Sequence, residues 1–290
     1  MEDLGFAKRD DEGDLYIPVV QLSHIINIDK LCLSLDVSNG QRGGRPEAVF
    51  YCPSLPETGR DTVKSSLTTT LITGSTAAGE DNPPHFQFST KAQTAEMDIL
   101  RVELVAYMYH VRGKFGAQKD QAWPINVGMN SRGGMDDVEF EYLSNSLIPL
   151  YPVAKDVKGK RVLFKLDSGP GRLGMKLLAW LRLIGFVLYP GVPNTTAVSQ
   201  ETNRNYGPFK TAFRIILDKN FQERMIKENK TTLNPWLVGL VVFGGVEPET
   251  GVLVHKNAFR EGFSKVQCLK AWAKIGATPM MIVCLSDKQV

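Results

Sequence analysis

The stretch Arg161–Pro190, RVLFKLDSGPGRLGMKLLAWLRLIGFVLYP, decides the fold class. Arg161 to Leu166 reads as an apolar strand with Asp167 at its C-terminal end. Ser168-Gly-Pro-Gly171 is a turn, Leu173 to Gly185 carries apolar residues at helical spacing, and Phe186 to Tyr189 is a second strand. Strand, helix, strand in that order predicts a right-handed crossover between parallel strands, with ligands met at the strands' C-terminal ends. Asp167 stands where a metal ion or a polar substrate would be met.

Working outward toward the N-terminus, residues 1–30 read as a peripheral lead-in, and KLCLSLDVSNG reads as a strand ending at Asp36. PEAVFYCP is a second strand, and VKSSLTTTLITGSTAAGEDNPPHFQFST is strand, Gly-Glu-Asp-Asn turn, strand. AEMDILRVELVAYMYHV and MDDVEFEYLSNSLIPLYP read as helices separated by a loop-rich insertion around 113–130. Toward the C-terminus, PGVPNTTAVSQETNRNYG reads as a loop, and a helix starts at Pro208. NPWLVGLVVFGG is either a buried helix or a strand, and NAFREGFSKVQCLKAWAKIG is helical. The expected fold is α/β, a mixed sheet with its antiparallel strands first, flanked by helices and carrying a C-terminal helical extension. The expected division is a lead-in at 1–30, a catalytic-type domain at 31–230 and the extension at 231–290.

The 290 residues are 43% hydrophobic and 22% charged, with a formal net charge of +3. That balance is compatible with a nucleic-acid partner without demanding one. Cys32, Cys52, Cys268 and Cys284 lack paired spacing and read as reduced, mostly buried thiols of an intracellular protein. No secretory signal opens the chain, and no run of 18 apolar residues would cross a bilayer. His24, His85, His110 and His255 have no zinc-ligand spacing. The DSGPG turn lacks the Gly-Lys-Ser/Thr ending of a phosphate loop. Trp180, Trp236 and Trp272 lie in apolar stretches and read as core.

Asp36 and Asp167 are both strand-terminal acids. If their strands are neighbours, two carboxylates converge and need neutralising, which Mg²⁺ or Mn²⁺ does well. An aspartate at a strand end is also an ordinary turn former. Lys158, Lys160, Arg161, Lys165, Arg172, Lys176 and Arg182 surround the second acid; they read either as phosphate contacts or as a solvated basic face.

LDSGPGR together with LYPGVPNTTAVSQETNRNYGPFKTAFR resembles the DDE endonuclease domain of pogo-type transposases and their centromere-protein-B-like and jerky-like relatives. The Thr-rich hairpin with its Gly-Glu turn and Pro-Pro, and GGMDDVEFEYLSNSLIPL before the second acid, are similar to segments of the same family. The resemblance runs from about Asp36 to Arg214. It implies an RNase H-like fold and metal-dependent cleavage or strand transfer at DNA phosphodiesters, using two Mg²⁺ or Mn²⁺ ions. It puts the first and second acids on Asp36 and Asp167. The third falls on Asn203 when Asn194-Thr195-Thr196 and Gln200 are matched, or on Glu201, 34 residues after Asp167. In an extended loop those two residues would point the same way. An asparagine at that place weakens metal binding, so a catalytically weakened copy is one expectation.

Arg172, Lys165, Lys176 and Lys210 are the expected DNA contacts. The implied partner is DNA, in a nuclear or intracellular protein, with a homodimer allowed and no membrane association. Only about 35 residues precede Asp36, too few for the family's helix-turn-helix domains, so end-specific DNA binding is not expected. Two rival expectations stand beside the nuclease: a non-catalytic DNA- or protein-binding descendant, and an unrelated α/β enzyme binding one Mg²⁺ for a small phosphorylated substrate.

Overall fold

A computed structural model describes residues 2–34, 68–89, 126–130, 160–166, 175–190, 201–222, 235–247 and 250–274, with isolated positions at 102, 103, 106, 147, 150, 151 and 227. Its centre is the ten-residue strand β3 (Ile25–Ser34), preceded by a small hairpin of β1 (Lys8–Arg9) and β2 (Leu15–Tyr16) and the short helix α1 (Val19–Leu22). On one side β3 pairs antiparallel with β4 (Thr68–Thr76), which pairs antiparallel with β5 (His85–Ser89). Strand β6 (Asn126–Asn130) extends that edge in parallel to β5. On the other side β3 runs parallel to β7 (Val162–Leu166), and β7 runs parallel to β8 (Phe186–Pro190). The six-stranded order is β6-β5-β4-β3-β7-β8. It is a mixed α/β sheet of RNase H-like arrangement, with the antiparallel strands first as expected.

Helix α2 (Met175–Leu183) makes the crossover between β7 and β8. It packs Leu181 over Ile26, Val162, Phe164 and Phe186 on one face of the sheet. Helix α3 (Glu201–Leu217) covers the opposite face, and a π-helical turn at Asp218–Gln222 continues it. The strictly apolar α4 (Pro235–Phe243), a second small hairpin of β9 (Gly245–Val246) and β10 (Leu253–Val254), and helices α5 (Ala258–Phe263) and α6 (Lys265–Lys274) follow. These C-terminal elements close over α3: Phe209, Phe213, Phe243, Phe259 and Phe263 share one core with Leu31, Leu71 and Phe86.

Several expectations shift. The central strand begins at Ile25, inside the segment taken as lead-in, because Ile26 and Ile28 bury against α2 while Leu31 and Leu33 bury under the C-terminal helices. Strand β6 occupies the end of the stretch expected to be loop. NPWLVGLVVFGG resolves as helix, ended at Gly244, whose φ of 71° suits a residue without Cβ. Helix α3 begins at Glu201 rather than Pro208. The proline lies inside it, at the cost of one backbone hydrogen bond to the carbonyl of Arg204, an exposed residue. Cys32 is exposed, whereas Cys268 is buried and Trp272 belongs to the core. The strand expected at PEAVFYCP, most of the helix expected over 95–111 and much of the one expected over 135–152 lie outside the described residues. Among the described residues no helix is long and apolar enough to cross a membrane.

Candidate active site

The parallel pair β3–β7 places Asn27 opposite Lys165. Register partners share a face, so both side chains stand on the α3 side. Asn27 is fully buried, and every polar atom of its side chain is used. Its Nδ2 donates to the Lys165 carbonyl at 3.2 Å, and its Oδ1 accepts from the Thr202 backbone N–H at 2.8 Å and from Thr202 Oγ1 at 2.6 Å. A helix leaves its first four N–H groups without intrahelical partners. Here Asn27, from a strand 175 residues earlier, takes one of them. This contact fixes where α3 begins and how it is rotated. Gly74 lets β4 lie close against β3 at this point, since a Cβ there would overlap the Asn27 carbonyl oxygen.

Docked this way, the first turn of α3 aims Glu201 at β7. Lys165 Nζ donates to Glu201 Oε1 at 2.7 Å, with 18% of the lysine side chain exposed and none of the glutamate's. Glu201 Oε2 is buried and has no hydrogen-bond partner. Burial pushes the Glu201 carboxyl pKa up, and the charge and hydrogen bond of Lys165 pull only part of that back. A half-satisfied carboxylate in such a position is costly, and a buried ion pair is weak evidence for stability in itself.

Asp29 stands two residues beyond Asn27, on the same face by strand alternation, and is 7% exposed. Its Oδ1 accepts from the Lys30 N–H at 2.8 Å, and its carbonyl accepts from Tyr206 Oη of α3 at 2.6 Å. In the chain Asp167 stands two residues beyond Lys165, the partner of Asn27. Asp29 and Asp167 therefore hold equivalent sequence offsets from one aligned pair, whereas Asp36 is nine residues beyond Asn27. Sequence reasoning missed Asp29 because it took the strand to start near residue 31. The usable signal was the polar residues Asn27 and Asp29, alternating with Ile26 and Ile28.

Asp36, Asp167 and Arg172 lie outside the described residues. Glu201 and Asn203 both lie on α3, and the helix corrects the idea that they point the same way. Two residues apart on a helix are turned by about 200°, so Glu201 faces the sheet while Asn203, only partly buried, faces elsewhere. Lys165 is engaged with Glu201. Lys176 is exposed on α2 and Lys210 half-buried on α3, so these two lie on helices that cover opposite faces of the sheet. Among the described residues no three His, Cys, Asp or Glu side chains cluster closely enough to hold a metal ion.

No family model matches the chain. No curated protein matches it either. Among solved structures, the chain is similar to a Mos1 transposase paired-end complex with left transposon end, at 11% identity and a TM-score of 0.35, over 86% of this chain and 55% of that one. It is similar to a pre-cleavage Mos1 transpososome at 8% identity and a TM-score of 0.37, over 86% and 56%. It is also similar to the Mos1 strand transfer complex at 8% identity and a TM-score of 0.34, over 87% and 55%. The chain thus spans little more than half the length of those proteins.

Proposed function

We propose that this chain is a transposase-derived DDE-type domain acting at DNA phosphodiesters, with Asp29, Asp167 and Glu201 as its three acids. The observation that carries the proposal is Glu201: a fully buried carboxylate, one oxygen unpartnered, held by a helix start that is itself pinned to the strand bearing Asp29. The donor set fits a hard divalent cation, because carboxylate oxygens are its preferred ligands and Glu201 Oε2 is an oxygen without another partner. Mg²⁺ or Mn²⁺ bound by these acids would supply activation of the attacking oxygen and charge stabilisation at the leaving one.

The chain's own groups have separable tasks. Asn27 and Thr202 orient α3 and hence Glu201. Tyr206 ties the same helix to the Asp29 backbone, fixing the distance between the two acid-bearing elements. Arg172, Lys176 and Lys210 are the proposed phosphate contacts, each adding salt dependence to DNA affinity. Lys165 balances the charge of Glu201 rather than that of a phosphate. Asp36 is the alternative first acid from sequence, and Asn203 the alternative at the third place. Asp29 is preferred because it stands two residues beyond the Asn27–Lys165 pair, as Asp167 does in the sequence, and Glu201 for its orientation.

The non-catalytic binding descendant has one observation in its favour, namely that the Lys165–Glu201 pair already neutralises the acid. Mn²⁺-dependent nicking of supercoiled plasmid separates the two. Nicking by the wild type that is lost in Asp167→Ala and in Glu201→Gln is the expected result. Silence in the wild type, with salt-sensitive DNA retention intact, leaves the binding protein.

A further inference from the structure

The cation beside Glu201 belongs to the chain itself. We propose that the Lys165 ammonium is a resident counter-cation which a divalent ion must displace, so that the site loads by cation exchange. This rests on the metal-site reading above and concerns how that site is filled.

The geometry of the pair carries it. Lys165 Nζ sits 2.7 Å from Glu201 Oε1, within the distance of a charge-assisted hydrogen bond. The ammonium satisfies only one carboxylate oxygen, leaving Oε2 buried and unpartnered. A pair serving packing alone gains nothing from that arrangement, whereas a divalent ion could use both oxygens. The two partners also differ in exposure. Glu201, wholly buried, opens a helix anchored through Thr202 to Asn27, while 18% of the Lys165 side chain reaches solvent. Exchange therefore moves the lysine out toward solvent and leaves the acid in place. The resident ammonium lowers the apparent affinity for a metal ion by the fraction of molecules in which it occupies the acid.

The test is thermal melting without DNA, in EDTA and across a Mn²⁺ titration at constant ionic strength. It compares wild type, Lys165→Met, and the double variant Lys165→Met/Glu201→Gln. Methionine keeps an unbranched stem and removes the charge. In EDTA, Lys165→Met should melt about 10 °C below wild type, because a buried carboxylate has lost its counter-charge. Mn²⁺ should recover most of that loss, with a midpoint roughly tenfold below that of any wild-type response. The double variant should melt near wild type and ignore Mn²⁺. The proposal is overturned if Mn²⁺ raises Lys165→Met no more than wild type, if it raises the double variant equally, or if Lys165→Met stays unfolded with Mn²⁺ present. Plasmid nicking is read separately. A protein that exchanges cations without nicking keeps this inference and loses the nuclease; one that nicks while Lys165→Met and wild type respond alike does the reverse.

Discussion

The two ends of α3 rest on the same sheet and are built from opposite materials. Its later turns bury Phe209, Ala212, Phe213 and Ile216 in one apolar cluster with Leu31, Leu71, Phe86 and Phe263. Phe209 alone stacks or edges against Tyr206, Phe213 and Phe263, with ring centroids 5.9 to 6.5 Å apart. Its first turns bury Glu201, Thr202 and Asn205 just as deeply. The apolar end supplies stability by removing surface from water. The polar end offers little by that route and must satisfy its groups one by one, which it does for Thr202 and leaves undone at Glu201. A buried carboxylate left half-satisfied marks the end of the helix where chemistry is to be sought.

That contrast can be broken from the apolar side first. Phe209→Ala should cost about 4 kcal/mol in urea unfolding, the loss typical of a buried phenylalanine in a packed core. A loss under 1 kcal/mol would mean the C-terminal helices do not close over α3 as described.

The second effect uses a buried polar group on the other face. His85 lies fully inside on β5, and its Nε2 faces Gln87 Oε1 at 3.1 Å. Burial lowers its pKa to about 4, against a small opposing pull from Gln87. The unfolded chain therefore takes up the proton first as pH falls. The stability contributed by neutral His85 is fully present above pH 6.5 and is lost down to pH 4, roughly 3 kcal/mol in all. His85→Asn should flatten that part of the stability–pH curve, and an unchanged slope would assign it to other groups.

The third effect sharpens the polar end. Asn27→Leu strands the Thr202 N–H, while the Thr202 hydroxyl keeps the Asn27 backbone carbonyl as its acceptor, and should cost about 2 kcal/mol. Because it loosens the start of α3, it should also reduce Mn²⁺-dependent nicking, measured beside the melt. The smallest effect on stability is the most informative. Glu201→Gln removes a charge whose burial is unfavourable and keeps an amide oxygen able to accept from Lys165 Nζ, so unfolding free energy should change by less than about 1 kcal/mol while nicking disappears. Equal losses of stability and activity would make Glu201 a structural residue.

Much of the fold was legible from local pattern. The Gly-Glu-Asp-Asn turn between two strand-like runs gave the β4–β5 hairpin, and apolar spacing over 161–190 gave the β7–α2–β8 crossover. Patterns of that kind fail where burial is polar. The segment ETNRNYG reads as a loop because its buried stripe is Glu201, Thr202 and Asn205, which periodicity counts as surface. Strand β3 was cut short for the same reason, since Asn27 and Asp29 alternate with isoleucines but carry polar side chains. NVGMN is five residues with an asparagine at each end, too brief to stand out from the polar stretch before it. The register of β3 on β7 is a long-range fact, and the proposal of Asp29 in place of Asp36 rests on it.

The most direct measurement is therefore Mn²⁺-dependent plasmid nicking by Asp29→Asn beside Asp36→Asn, each first confirmed to melt within a few degrees of wild type. The account predicts that Asp29→Asn is silent and Asp36→Asn nicks at close to the wild-type rate. An active Asp29→Asn protein with a silent Asp36→Asn would contradict it, and would return the first acid to the strand end.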